Sequence, residues 1–182
     1  MKVTPLALPE VLLIEPRIYD DARGHFYESH NARTFAEAVG RHVEFVQDNH
    51  SLSKRGVIRG LHYQLAPAPQ GKLVRVGAGE VFDVSVDIRR SSPNYGRWVG
   101  EILSADNHRQ LWIPRGFAHG FMALSEGTEV LYKTDDFYHH AAEHAIRWDD
   151  PDLAIAWPKD IAAMLSDKDA VAPSFKDAVT FD

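Results

Sequence analysis

Residues capable of acid–base chemistry lie close together between Gly56 and Val76. Arg59, His62 and Lys72 fall in two neighbouring segments that we predict to be strands. A neutral imidazole can accept a proton near pH 7, and a lysine ammonium can stabilise the negative charge that proton removal leaves behind. This pair suits removal of a proton from carbon next to a carbonyl group, because such a hydrogen is acidic enough for a side chain to take.

Inversion at that carbon requires two further groups. A carboxylate that holds the imidazole in one tautomer would complete the base, as a buried aspartate does in hydrolytic triads. The C-terminal tail offers Asp167 and Asp169 for this role. A proton donor must also approach from the opposite face of the substrate, and the hydroxyl of Tyr132, at the end of a predicted strand, is the best placed candidate.

Strict alternation along a strand would put Arg59 and His62 on opposite faces. Both side chains can reach one site only if Gly60 introduces a bulge or a bend. We therefore predict an irregularity in this strand.

A metal site is the rival chemistry, because small β-barrels often hold a metal through two histidines separated by one residue. Here the pair reads His62-Tyr63-Gln64, so an amide replaces the second histidine. Lys72 would repel a cation, and His119, which matches a later histidine ligand, leaves only two imidazoles. We predict no bound catalytic metal, and both histidines are better explained as groups that handle substrate.

Several polar residues elsewhere could contact a ligand, although each also has a purely structural explanation as a turn, a solvated charge or a core residue. Hydrogen-bonding groups for a nucleobase and sugar hydroxyls, cations for phosphate oxygens, and a tyrosine able to stack on a base are all present. These residues are Arg23, Glu28, Gln47, Asp48, Asn49, Arg59, Lys168 and Tyr138.

Composition narrows the class of protein. The 182 residues are 45% hydrophobic and 25% charged, with a net charge of -6, which argues against disorder and against a broad nucleic-acid surface. The chain has no cysteine, which excludes thiolate metal sites and suits a cytoplasmic location. Prolines interrupt the N-terminal apolar run, and no stretch reaches the ~20 apolar residues of a membrane span, so we predict a soluble intracellular protein.

Short segments rich in β-branched and aromatic residues dominate the middle of the chain, separated by tight turns that favour hairpins. We predict an antiparallel sandwich or barrel with a core at about 43–133, a packed N-terminal part and tail, and one domain over 1–182. The predicted strands are 11–14, 43–49, 57–64, 72–76, 80–88, 97–103, 109–113, 118–124 and 128–132. Two peripheral helices are predicted at 32–39 and 160–165.

Alternation is strict at 80–88, where Val81, Asp83, Ser85 and Asp87 share one face. That face could look outward from a sandwich or line the cavity of a small barrel. We interpret Asp83 and Asp87 as structural residues.

Six motifs together resemble the dTDP-4-dehydrorhamnose 3,5-epimerase family of cofactor-independent sugar epimerases. They lie at 21–28, 47–51, 56–64, 70–76, 112–121 and 131–133, and the resemblance runs from about residue 6 to residue 173. One departure is Arg115, in a segment where the family often has an acidic residue, and we predict that it lies at a surface turn.

The resemblance implies a mainly β, cupin-type antiparallel jelly roll, a homodimer, no cofactor, and a 4-keto-6-deoxy sugar linked to dTDP as substrate. It also implies that His62 accepts the proton, Tyr132 donates one, Lys72 stabilises the enolate and Asp169 is the partner of His62. Tyr138 would stack on the thymine. Further substrate contacts are implied for Arg23, Glu28, Gln47, Asp48, Asn49, Arg59, His119, Glu143 and Lys168, with Arg23 and Glu28 acting across the dimer.

Three alternatives remain open. Some members of such a family invert only one carbon centre, a sugar-nucleotide-binding cupin would keep the pocket without chemistry, and a metal-dependent cupin would retain metal on purification. Tyr132 favours inversion at both C3 and C5.

Overall fold

The computed structural model describes all residues, 1–182, and consists mainly of β-strands. Two helices are present, α1 at Ala32–Val39 and α2 at Asp167–Ala170, with a single 3₁₀ turn at His140–Ala142. The strands are β1 Lys2–Pro5, β2 Leu12–Glu15, β3 Tyr19–Asp21, β4 Gly24–Phe26, β5 Gln47–Ser53, β6 Ile58–Gln64, β7 Lys72–Ala78, β8 Glu80–Asp87, β9 Trp98–Ser104, β10 Gln110–Ile113, β11 Phe117–Ala123, β12 Thr128–Thr134 and β13 Glu143–Ala145.

The strands form two antiparallel sheets whose inner faces pack together. The six-stranded sheet has the order β1-β2-β10-β7-β12-β5, and the five-stranded sheet has the order β13-β6-β11-β8-β9. The predicted antiparallel jelly roll is confirmed. β3 and β4 pair only with each other, as a separate hairpin.

All nine predicted strands are present, and one of them begins four residues later than predicted. β5 starts at Gln47 and not at Val43. Val43 and Phe45 pack beside Phe35 of α1 in an apolar cluster, so their side chains are buried without belonging to a strand. Burial against a helix produced a pattern that reads like a strand in the sequence.

Apolar side chains from both sheets fill part of the space between them. Val74 and Val130 of the six-stranded sheet meet Val81 and Phe121 of the five-stranded sheet in this core. The tail covers the outer face of the five-stranded sheet, where Trp157 packs with residues of β6, β8 and β11. Another part of the interior carries polar side chains, among them Gln64, Asp83 and His119.

The alternating face of β8 looks inward. Val81 of this face packs in the core between the two sheets, and Asp83, Ser85 and Asp87 are all 0% exposed, so this face lines the interior of the barrel. Asp87 has a structural role, because it accepts hydrogen bonds from Arg89 and Ser92 at the end of the strand.

The predicted irregularity in β6 is confirmed. His62 lies opposite His119 of β11, and Arg59 lies opposite Phe121, so three steps along β6 match two along β11. This β-bulge puts Arg59 and His62 on the same inward face.

Gly60 is required at this bulge. Its φ is +137°, and a Cβ atom there would lie 2.5 Å from the Cα of Gly120. Only glycine allows the two backbones to approach so closely.

The first predicted helix is confirmed, and its ends follow the local sequence. The side chain of Asn31 accepts hydrogen bonds from two backbone amides at the N-terminus of α1. Gly40 ends the helix with φ +76°.

The prediction of a second helix at 160–165 is wrong, because this segment is not helical. The amide of Met164 donates to the carbonyl of Gly56, and the amide of Ile58 donates to the carbonyl of Met164. This segment therefore lies extended against the start of β6, because its backbone groups are used between segments. The helix forms instead at Asp167–Ala170, after Ser166 caps its N-terminus. No helix of the structure is long and apolar enough to cross a membrane.

Candidate active site

A cavity of about 270 Å³ lies at the polar end of the barrel interior. Its walls come from both sheets and from the loop after β12. The residues that line it include Gln47, Asn49, His62, Gln64, Lys72, Tyr132, Tyr138 and Glu143.

His62 is held by the carboxylate of Asp169. Its Nε2 lies 2.5 Å from Oδ1 of Asp169, whose side chain is almost fully buried. Burial is the largest single influence and would raise the pKa of Asp169, but the hydrogen bonds from His62 and Ser166 and the positive charges of His62 and Lys168 together outweigh it and lower the pKa. An ionised carboxylate only accepts hydrogen bonds, so Nε2 carries the hydrogen and Nδ1 of the neutral ring keeps its lone pair.

The tail positions this carboxylate through a short local arrangement. Ser166 Oγ accepts from the backbone amide of Asp169 and donates to its Oδ2 at 3.0 Å. Asp167, the other candidate from the sequence, is exposed on the same turn of helix. The cap therefore points one of the two aspartates inward.

Lys72 begins β7 and brings a cation next to His62. Its Nζ donates to the backbone carbonyl of His62 at 3.4 Å. Burial lowers the pKa of Lys72 to about 8, although the negative charges of Asp83 and Glu143 oppose that shift. The ammonium is thus poorly solvated, which strengthens its attraction for an oxyanion.

Asp83, interpreted from the sequence as a structural residue, pairs with His119 beside this site, and its negative charge acts on Lys72. Both of its oxygens contact Nε2 of His119, at 3.0 and 2.9 Å, and both side chains are buried. Burial lowers the pKa of His119, and Asp83 acts in the opposite direction. The alternation of β8 could have indicated this pair, because it puts Asp83 on the face that lines the interior.

Tyr132 lies on β12, between Asn49 of β5 and Val74 of β7. Burial raises the pKa of its hydroxyl, and the positive charge of Arg59 opposes that shift. The hydroxyl therefore keeps its proton at neutral pH. Arg59 itself donates hydrogen bonds to Ser53 Oγ and to the carbonyl of Leu52.

Tyr138 and its partners form the rim of the cavity. The hydroxyl of Tyr138 donates to Oε2 of Glu143 at 2.9 Å, and Lys168 forms an ion pair with the same carboxylate. Burial would raise the pKa of Glu143, but the hydrogen bonds from Lys168 and Tyr138 lower it. Tyr138 is 52% exposed, so it is accessible to a ligand at this rim.

Six predicted contact residues do not line this cavity within the single chain. Arg59, His119 and Lys168 lie beside it, and the other three lie elsewhere on the surface. The Arg23 side chain is 89% exposed and pairs with Asp21. Glu28 accepts from Asn31, also at the surface. Asp48 pairs with Lys133 on the outer face of the sheet.

Metal ligands are not grouped anywhere in the structure: no three His, Cys, Asp or Glu side chains lie close enough together to hold an ion. The amide of Gln64, at the position of a possible second histidine ligand, bonds only to backbone groups. Arg115 lies at an exposed turn and pairs with Asp135.

The arrangement can perform proton transfer at carbon. A base nitrogen comes from β6 in one sheet, whereas a cation and a protonated phenol come from β7 and β12 in the facing sheet. A flat carbonyl-containing ring between them could lose a proton on one side and gain one on the other.

Comparison with known proteins identifies relatives over nearly the whole chain. The family model described as dTDP-4-dehydrorhamnose 3,5-epimerase matches residues 5–177. The dTDP-4-dehydrorhamnose 3,5-epimerase of Pseudomonas aeruginosa is 60% identical over 181 residues, which cover 100% of this chain and 99% of that protein.

Solved structures give the same result. The crystal structure of dTDP-6-deoxy-D-glucose-3,5-epimerase from Legionella pneumophila Philadelphia 1, in complex with dTDP-4-keto-L-rhamnose, matches with a TM-score of 0.94 and 52% identity, covering 97% of this chain and 93% of that one. A 3'-monoepimerase from Streptomyces bikiniensis, in complex with dTDP-quinovose, matches with a TM-score of 0.90 and 35% identity, covering 94% of this chain and 87% of that one.

Proposed function

Because this chain belongs to the dTDP-4-dehydrorhamnose 3,5-epimerase family, we propose that it inverts C3 and C5 of dTDP-4-dehydro-6-deoxy-D-glucose. The product is dTDP-4-dehydro-L-rhamnose. The enzyme is an isomerase, and each inversion passes through an enolate whose negative charge lies on the oxygen at C4.

The observation that carries this proposal is the origin of the base and the acid in opposite sheets. His62 reaches the cavity from the five-stranded sheet, and Tyr132 reaches it from the six-stranded sheet. Inversion requires proton removal on one face of a ring and proton delivery on the other. Groups on facing walls of one cavity meet that requirement.

In the proposed mechanism, Nδ1 of His62 takes the proton from carbon, and the electrons of that C–H bond move toward the C4 carbonyl. Lys72 stabilises the resulting oxyanion, while Asp169 stabilises the imidazolium. The hydroxyl of Tyr132 then delivers a proton to the opposite face of the carbon. Both side chains return to their starting protonation states by exchange with solvent.

The nucleotide portion is proposed to lie at the rim. Tyr138 stacks on the thymine, Gln47 and Asn49 offer hydrogen bonds, and Arg59 and Lys168 offer positive charge to the phosphate oxygens. His119, which is hydrogen-bonded to Asp83, is proposed to support the cavity wall next to Lys72.

We propose further that the active form is a homodimer in which Arg23 and Glu28 serve the partner's site. The hairpin of β3 and β4 is exposed along both strands, and Arg23 lies at its tip, bonded only to Asp21. The outer face of the six-stranded sheet carries Leu52, which is 65% exposed, and a second concave region of about 300 Å³. These features support an interface on this side of the molecule.

Solvent isotope exchange tests the assignment. In deuterated water the wild-type enzyme should incorporate deuterium at C3 and C5, and replacement of His62 by alanine should abolish incorporation at both carbons. Normal exchange in the His62→Ala variant would disprove the role of the base, and no exchange in the wild type would leave a protein that only binds the sugar nucleotide.

A single-centre epimerase is the alternative, motivated by the structural similarity to the Streptomyces bikiniensis 3'-monoepimerase. Product stereochemistry distinguishes the two functions. After coupling to a 4-keto reductase, NMR should show inversion at both centres, whereas inversion at one centre would support the alternative.

A further inference from the structure

Gln64 lies at the end of β6, and its side chain is 3% exposed. Nε2 donates hydrogen bonds to the carbonyl of Ala68 at 2.6 Å and to that of Phe137 at 3.2 Å. Oε1 accepts from the backbone amide of His139 at 2.8 Å. The amide therefore uses both of its donor hydrogens and its oxygen, all on backbone groups.

Two of these three contacts flank Tyr138 directly, one on each side along the chain. The intervening residue is fixed as well, since the amide of Tyr138 donates to Oε1 of Gln47 at 2.9 Å. Three consecutive backbone positions are thus held by side chains of the barrel wall. The rings of Phe137 and Tyr138 are nevertheless largely exposed, so packing does little to hold this loop.

We propose that Gln64 is a positioning residue that holds Tyr138 ready to stack on the nucleobase before substrate arrives. The inference rests on the proposed function, in which Tyr138 stacks on the thymine. An exposed aromatic ring on a mobile loop would lose conformational freedom when it binds a ligand, and that loss weakens affinity. A loop that is already ordered avoids the cost.

Glutamine suits this role for a chemical reason. A neutral imidazole has one donor and one acceptor, so a histidine here could not donate to two carbonyls and also accept from an amide. A glutamate could still accept from His139, but its oxygens would face the carbonyls of Ala68 and Phe137 with no hydrogen to donate. The same side-chain shape would then repel the loop that it now holds.

The experiment is a double-mutant cycle on the full-length protein, with dTDP as the probe and calorimetry as the readout. We expect Gln64→Glu to weaken dTDP binding by about tenfold or more, and Tyr138→Ala to do so at least as strongly. In the Tyr138→Ala background the additional effect of Gln64→Glu should disappear, because there is no ring left to position. The KM of Gln64→Glu should rise while kcat stays within about threefold of wild type.

Asn107 provides the matched control. Its amide also bridges backbone groups, donating to the carbonyl of Ile102 and accepting from the amides of Ser104 and Arg109, in a turn outside the cavity. Asn107→Asp should lower thermal stability without changing dTDP affinity. If Gln64→Glu does not fold, Gln64→Met removes the same hydrogen bonds without adding charge and should give the same pattern with a smaller effect.

The outcomes separate the two proposals. If Tyr138→Ala weakens dTDP binding and Gln64→Glu does not, or if their effects are additive, the positioning role is disproved while the proposed function stands. If Tyr138→Ala itself leaves dTDP binding unchanged, the stacking role fails, and the positioning inference fails with it.

Discussion

Lys72 is the residue whose protonation most directly limits the proposed reaction. The ammonium form is needed to stabilise the enolate, and burial lowers its pKa to about 8. Below that value the cation is present, and above it the side chain becomes neutral. We therefore expect kcat/KM to fall as the pH rises through about 8, as measured in a steady-state pH profile.

Arginine at the same position is the control, because a guanidinium remains charged throughout this range. Lys72→Arg should lower the overall rate through altered geometry but remove the alkaline decline near pH 8. An unchanged decline in Lys72→Arg would assign the titration to a different group.

Asp169 fixes the tautomer of His62, so its charge matters more than its shape. Asp169→Asn preserves the size of the side chain but lets an amide N–H face Nε2, which favours the wrong tautomer. By analogy with aspartates in hydrolytic triads, we expect kcat to fall about 10²–10⁴-fold in a coupled assay. The matched variant Asp167→Asn, on the exposed side of the same helix, should keep near-normal activity. Equal losses in both variants would contradict the pairing.

At the scale of elements, the bulge in β6 decides whether the site forms. Gly60→Ala would place a methyl group 2.5 Å from the Cα of Gly120 and would also strain a backbone with φ +137°. We expect a loss of about 1–3 kcal/mol in the free energy of unfolding, measured with urea, together with a large loss of activity, because Arg59 and His62 would no longer share one face.

Gly127→Ala separates the effect of backbone strain from the effect of a steric clash between strands. Gly127 has φ +67° in an exposed turn, and a Cβ atom there would contact nothing within 4 Å. This variant should be destabilised by about 1–2 kcal/mol through the backbone conformation alone and should keep its activity. If Gly60→Ala behaved like Gly127→Ala in both measurements, the close approach of β6 and β11 would not be needed for catalysis.

The tail shows how an element without regular structure can complete a site. Residues 160–165 lie extended against β6, and the short helix α2 that follows carries Asp169 inward to His62. The tail packs on the five-stranded sheet, and the cap at Ser166 orients Asp169 toward His62 of that same sheet. One short helical turn is enough to position the carboxylate.

At the scale of the whole molecule, the proposed dimer predicts that two inactive variants can restore each other's activity, which requires a site shared between two chains. Arg23→Ala should reduce kcat/KM strongly, by about 10²-fold, since a charge-assisted contact with the substrate is lost. His62→Ala should be inactive. In a mixed dimer of these two variants, one site would receive an intact His62 from one chain and an intact Arg23 from the other.

Refolding the two inactive variants together in equal amounts tests this arrangement. With random pairing about half of the dimers are mixed, and each mixed dimer has one intact site of its two. About a quarter of all sites are then intact, so activity should recover to about a quarter of wild type. Each variant refolded alone is the control. No recovery in the mixture, although dimers form, would show that Arg23 acts within its own chain or not at all.

The sequence by itself determined the features that depend on neighbouring residues. It predicted the core strands, the helix α1 at 32–39, and the irregularity at Gly60, because hydrogen bonds, helix stops and steric limits of this kind act over a few residues. The resemblance in its motifs predicted the family and seven of the ten residues that line the cavity. The roles assigned to them, the homodimer and the single domain over 1–182 stay predictions.

Only the tertiary structure decided which faces and which distant residues meet. It turned Asp83 inward beside His119, selected Asp169 over Asp167 as the partner of His62, 107 residues away in the chain, and used the segment at 160–165 as an extended edge in place of a helix. Period-two alternation specifies two faces of a strand but not which one faces the opposite sheet. That choice depends on which sheet packs opposite, and this is a contact between parts of the chain that no local pattern encodes.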